Sequence, residues 1–142
     1  MNDTISLLKE CDAGLIMATD SLTQAINYAK AHNFSNMLRK YYDEHQKIKI
    51  DVKTKLMENN EKEDKPSVVG RTAAKGMTSM KLMLNDTDEK IASLMIDGCN
   101  MGIKNVSRYM NQYGESEEEA LRLANSIVVL EQNFANELRQ YL

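Results

Sequence analysis

The chain has 142 residues, with one proline, six glycines, a charged fraction of 27% and a net charge of −3. This length suits one domain with a single core, and so few prolines and glycines indicate a helix-rich globular protein rather than a disordered one. The basic residues are interspersed with acidic ones, which argues against a nucleic-acid-binding surface, and no apolar run is long enough to span a membrane.

The first two predicted helices form a hairpin. Apolar residues spaced three and four apart predict helix 1 over about residues 3–31, and His32 with Asn33 predicts the turn that follows it. The same spacing predicts helix 2 over about residues 35–59, with Ser35 as its N-cap. Because the connection is short, we expect these two helices to be antiparallel.

A charged segment then leads to the third helix. Residues 60–86 are expected to form a long, partly helical crossover, in which Pro66 can open a short helix. Helix 3 is predicted over about residues 87–113, and Asp86 with Glu89 forms an acidic capping pair at its start.

The fourth helix completes a four-helix bundle. Ser116 and Glu119 have the spacing of a capping box, which predicts helix 4 over about residues 117–141. Two short turns and one long middle connection describe a single all-α domain over residues 1–142. The crossover is long enough to climb the bundle, so helices 2 and 3 can run parallel, as in ferritin-like proteins. The alternative is an up-down-up-down bundle with the middle segment packed on its outside.

Three side chains interrupt the apolar stripes of helices 2, 3 and 4, namely His45, Cys99 and Glu131. A carboxylate among core residues needs a partner or a proton. Counting along the helices of a ferritin-like bundle places these three at about mid-height and Cys11 ~13 Å lower. We therefore predict that Glu131 and His45 meet in the core.

This group has two interpretations. An imidazole, a thiolate and a carboxylate can hold one zinc or iron ion with an open coordination position, which would make His45, Cys99 and Glu131 metal ligands. Alternatively, His45 and Glu131 share a charge-assisted hydrogen bond while Cys99 packs as a small apolar side chain. Cys11, among leucines, is expected to be part of the core.

Residues 11–15 and 99–103 form a weak internal repeat, each with a cysteine followed three residues later by a glycine. Two related helical hairpins would produce such a repeat, and so would chance. Gly14 and Gly102 also suit a close crossing of two helices.

Residues 8–14, 43–45, 97–102 and 109–113 resemble a family of uncharacterised bacterial proteins of ferritin-like fold, found in Gram-positive anaerobes. The resemblance covers nearly the whole chain. It implies the fold rather than an activity.

A di-iron centre is not expected. Di-iron ferritin-like proteins place a glutamate on each of two helices and Glu-x-x-His on each of the other two. This chain keeps only fragments of that pattern, with Tyr42-x-x-His45 on helix 2, Glu131-x-x-Phe134 on helix 4, Asp97 or Cys99 on helix 3 and Asp20 on helix 1.

The sequence therefore predicts a non-catalytic binding or structural module that self-associates, with a single-metal or redox protein as the alternative. Cys11 and Cys99 form no Cys-x-x-Cys pair, and the first residues lack the features of a secretory signal. We expect a cytoplasmic protein with two free thiols. No nucleophilic triad or phosphate-binding loop occurs in the sequence.

Overall fold

The computed structural model describes residues 2–59 and 87–142. Within these ranges the chain is all-helical, without strands, and forms α1 (Asp3–Tyr28), α2 (His32–Glu58), α3 (Asp88–Gln112), α4 (Glu118–Leu138) and a final 3-10 turn (Arg139–Tyr141). The prediction of an all-α fold with four long helices is confirmed. The crossover predicted over residues 60–86, with its short helix, lies outside the described residues.

The turn between α1 and α2 differs from its prediction. α1 ends at Tyr28, and α2 begins at His32, so the predicted turn residues His32 and Asn33 belong to the helix. Ser35 is not the N-cap, which is Ala31 and has no side-chain cap. Instead, the carboxylate of Asp88 accepts the backbone N–H groups of Lys30 and Ala31, each at 2.8 Å. A residue distant in sequence thus holds this turn.

The starts of α3 and α4 also use other caps than predicted. Thr87 caps α3 by accepting the N–H of Lys90, whereas Asp86 lies outside the described residues. The capping box predicted before α4 is wrong, because the Ser116 hydroxyl donates to the Tyr113 carbonyl.

Side chains at the start of α1 accept the backbone N–H groups just before α4, in place of the predicted capping box. The Glu117 N–H donates to the Thr4 hydroxyl at 2.8 Å, so a side chain of α1 satisfies the start of α4. Glu119, the other predicted member of the box, pairs with Arg122 on its own helix.

These end contacts fix the directions of the helices. The start of α3 lies at the α1–α2 turn, because Asp88 binds that turn, and the end of α3 lies near the start of α1, because Glu115 N–H donates to Asp3. α3 therefore runs parallel to α2, as predicted, and α4 runs parallel to α1. The up-down-up-down alternative requires the opposite direction for α3.

The core consists of two apolar clusters, called upper and lower, with the α1–α2 turn at the upper end. α1 and α4 each pack against both α2 and α3. The upper cluster includes Leu22, Phe34, Tyr41, Cys99 and Phe134. The lower cluster includes Leu8, Cys11, Leu15, Val52 and Ile127. On α2 and α4, His45 and Glu131 fall between members of the two clusters, so a polar layer separates them.

Candidate functional site

His45 and Glu131 form a buried pair at the centre of the bundle. Their exposed fractions are 1% and 6%. His45 Nε2 and Glu131 Oε1 are hydrogen-bonded, and His45 Nδ1 lies 2.6 Å from the backbone carbonyl oxygen of Tyr41, one turn earlier on α2. The predicted meeting of His45 and Glu131 is confirmed.

The two contacts of His45 define the protonation of the pair. A neutral imidazole has only one N–H, whereas both ring nitrogens of His45 face oxygen atoms. Either His45 is an imidazolium that donates to both oxygens, or a protonated Glu131 donates to Nε2 while Nδ1–H donates to Tyr41. Both arrangements carry the same proton and no net charge.

The pKa of His45 favours the imidazolium. Burial lowers this pKa, but the hydrogen bond and the charge of Glu131, together with the Tyr41 carbonyl, outweigh burial and raise it above its ordinary value of 6.5. A charged histidine in the core is thus compensated by the carboxylate that faces it.

Cys99 lies beside Glu131 on α3 and is 2% exposed. Burial raises the pKa of the Cys99 thiol well above its usual range, and the negative charge of Glu131 and a hydrogen bond to it raise the pKa further. The thiol is therefore protonated at neutral pH. Cys99 also packs with the upper cluster, so it is both a neighbour of the carboxylate and part of the apolar core.

The residues of this layer do not fit a di-iron centre. Phe134 lies where the ferritin pattern has a histidine. Its ring stacks on Tyr41, with 4.5 Å between the ring centroids, and packs against His45 in a T-shaped arrangement. Asp97 is exposed. Among the described residues, no three His, Cys, Asp or Glu side chains are arranged to hold a metal ion. A single metal on His45, Cys99 and Glu131 remains a prediction.

A cavity of about 150 Å³ lies between α1 and α3, with the polar pair in its inner wall. Four small residues make room for it, Gly14 and Ala18 on α1 and Gly98 and Gly102 on α3. A Cβ atom added at Gly14 or Gly98 would meet nothing within 4 Å. The close helix crossing expected at Gly14 is therefore not found, because the glycine faces open space.

Gly102 faces the carboxylate. An added Cβ there would lie 3.7 Å from both Cγ and Oε2 of Glu131, which is ordinary contact. Oε2 is therefore at the cavity wall beside Gly102, while Oε1 is turned to His45.

The lower part of the cavity carries Cys11, Glu10 and Tyr109. Burial raises the pKa of Cys11 to about 12, and the charges of Glu10 and Asp12 add to this. Burial and the charge and hydrogen bond of Glu10 raise the pKa of Tyr109. Cys11 belongs to the lower cluster and both cysteines are free and buried, as predicted.

The sequence did not reveal the cavity. Gly14 and Gly102 occupy matching places in the internal repeat, and their position on facing helices is the signal that points to it. It could be used only with the knowledge that α1 and α3 are neighbours.

The chain matches no family model, no curated protein and no solved structure. The resemblance to a ferritin-like bacterial family therefore stays a prediction. None of the helices within residues 2–59 and 87–142 has the length and apolarity that a membrane span requires.

Proposed function

We propose that this chain is a non-catalytic binding module, a ferritin-like bundle without a di-iron centre whose cavity between α1 and α3 holds a small ligand. The observation that carries the proposal is the cavity of about 150 Å³ with Glu131 in its wall. Small-molecule sites are concave and mostly apolar, with a few polar groups that fix orientation. The parallel directions of α2 and α3 support the ferritin-like topology.

The chemistry of the lining favours binding over catalysis. Both ring nitrogens of His45 are engaged, so this histidine offers no free base to a substrate. The thiols of Cys11 and Cys99 have raised pKa values, which removes the thiolate that a nucleophilic cysteine needs.

Binding of a simple apolar probe tests this proposal. Benzene or xenon should shift the NMR methyl signal of Met95, which lines the cavity. Gly98→Leu should weaken binding by filling the space, whereas Gly98→Ala, the matched control, adds only a Cβ and should preserve it. Equal binding by wild type and Gly98→Leu, or no binding at all, would contradict the proposal.

The metal-binding alternative rests on one observation, the meeting of His45, Glu131 and Cys99 in one layer. A bound ion would have to rearrange these side chains, which are not placed to hold one together. The ion would be a single zinc or iron. Elemental analysis of protein purified without chelator tests it, and a stoichiometric metal that is lost in Glu131→Gln would favour this function.

Location and assembly complete the proposal. Two buried free cysteines support a reducing, cytoplasmic location. Self-association through helix faces stays a prediction. Ile50 and Met57, 62% and 75% exposed and seven residues apart on α2, are candidate contacts. Light scattering of wild type and Ile50→Lys would test this role.

A further inference from the structure

The inner wall of the cavity, where His45, Cys99 and Glu131 lie, combines buried polar groups with no net charge, while Glu10 lies at the lower part of the cavity beside Tyr109. His45 and Glu131 share one proton in either protonation state, and the Cys99 thiol is protonated. An ion that left water for this site would lose its hydration without gaining a counter-charge. The part of the cavity at this polar layer therefore disfavours charged groups of a ligand.

Glu131 keeps hydrogen-bonding capacity after its protein partners are counted. A carboxylate has about four acceptor positions, of which the His45 N–H uses one and the neighbouring Cys99 thiol can use at most one more. Oε2 lies at the cavity wall beside Gly102, where no side chain intervenes. A ligand donor that enters the cavity can reach this oxygen.

The size and lining of the cavity limit the rest of the ligand. Most of the surrounding side chains are apolar, among them Leu15, Leu22, Met95, Ile127 and Phe134. The cavity holds about 150 Å³, and an apolar cavity of this size in another protein binds benzene. One ring therefore fits.

We propose that the cavity takes an uncharged single-ring molecule of the phenol class, whose apolar ring lies between α1 and α3 and whose one O–H donates to Glu131. This inference rests on the proposed binding function and specifies its ligand.

Phenol and toluene test the proposal, since they have similar shapes and differ in the donor. In wild type, phenol should bind at least as tightly as toluene by calorimetry. In Glu131→Gln the Nδ1–H of a neutral His45 stays on Tyr41 and Nε2 accepts the amide N–H, so an uncharged amide oxygen replaces the carboxylate oxygen at the cavity wall. A hydrogen bond to a neutral acceptor is weaker than one to a carboxylate, so the ratio of phenol to toluene affinity should fall about tenfold. Glu44→Gln, on the exposed face of α2, is the matched control and should leave the ratio unchanged.

The outcomes separate this inference from the binding function. Toluene binding with a phenol-to-toluene ratio that Glu131→Gln leaves unchanged would overturn the phenol class and keep the binding module. Failure of both compounds would overturn both proposals. Tighter binding of benzoate or benzylammonium would show that the site selects a charge. If Glu131→Gln does not fold, weaker binding of phenol than of toluene by wild type is enough to overturn the inference.

Discussion

Replacing Glu131 with glutamine isolates the charge of the central pair. The amide has nearly the same shape as the carboxylate, and its N–H can donate to Nε2 of a neutral His45 whose Nδ1–H stays on Tyr41. What the substitution removes is the negative charge that compensates the imidazolium, while the backbone carbonyl of Tyr41 keeps its place on Nδ1. The variant therefore tests the ion pair without opening a cavity.

The contacts of the pair set the magnitude of the effect. Hydrogen bonds to charged groups contribute about 1.5–3 kcal/mol and neutral ones about 0.5–1.5 kcal/mol. Complete removal of one partner of a buried ion pair costs about 3–5 kcal/mol, but the amide keeps a hydrogen bond to His45. We expect Glu131→Gln to lower the free energy of unfolding by about 1–3 kcal/mol.

Urea unfolding followed by circular dichroism measures this loss in a single helical domain. Glu44→Gln is the control, because Glu44 forms an exposed pair with Lys47 and its substitution should change the free energy by less than about 0.5 kcal/mol. A double-mutant cycle with His45→Gln assigns the loss to the pair. Equal losses for Glu131→Gln and Glu44→Gln, with no coupling in the cycle, would refute a buried ion pair.

The proton on His45, the open space at Gly98 and the burial of the two thiols can each be tested separately. Because the folded-state pKa of His45 is raised, the stability from its proton is present below pH 6.5 and is lost as the pH rises through the folded pKa. The urea concentration at the midpoint of unfolding should therefore fall on the alkaline side of pH 6.5. If this midpoint depends on pH in the same way in wild type and in His45→Gln, the prediction is wrong. Gly98→Ala should raise the free energy of unfolding by about 0.5–1 kcal/mol, because alanine favours the helix and its Cβ would have no atom within 4 Å. A destabilised variant would show that the space beside residue 98 is filled. Cys11 and Cys99 should resist iodoacetamide in the folded protein and react in urea, as mass spectrometry can show; rapid labelling of the native protein would contradict their burial.

The sequence predicted the helices and the pair for the same physical reason. Apolar side chains repeat at helical spacing, so a polar residue such as Glu131 within a stripe must lie in the core. The turns were predicted less well, because Asp88 and Thr4 reach them from other parts of the chain. A capping box can be inferred from local spacing, whereas a cap that comes from another helix depends on how the helices pack.

The cavity was missed because its cause is the absence of side chains. Glycine and alanine in a helix are compatible with close packing and with open space alike. Gly102 lies in contact distance of Glu131, while Gly14 and Gly98 face nothing within 4 Å. Only the separation of α1 and α3 distinguishes these cases, and no local pattern encodes that separation.

Zinc would compete with the proton that the pair shares. A metal on His45 needs a bare ring nitrogen, and one on Cys99 needs a thiolate, so binding must release protons that the layer holds. We therefore expect equimolar zinc, added after chelator treatment, to leave the thermal unfolding temperature unchanged. A genuine site would be evident, because free ligand at a hundredfold its dissociation constant stabilises a protein by about 2.7 kcal/mol. If zinc clearly raises the unfolding temperature of the wild type but not that of Cys99→Ala or Glu131→Gln, these side chains are metal ligands. The hydrogen-bonded pair of His45 and Glu131 would then be the metal-free state of the site.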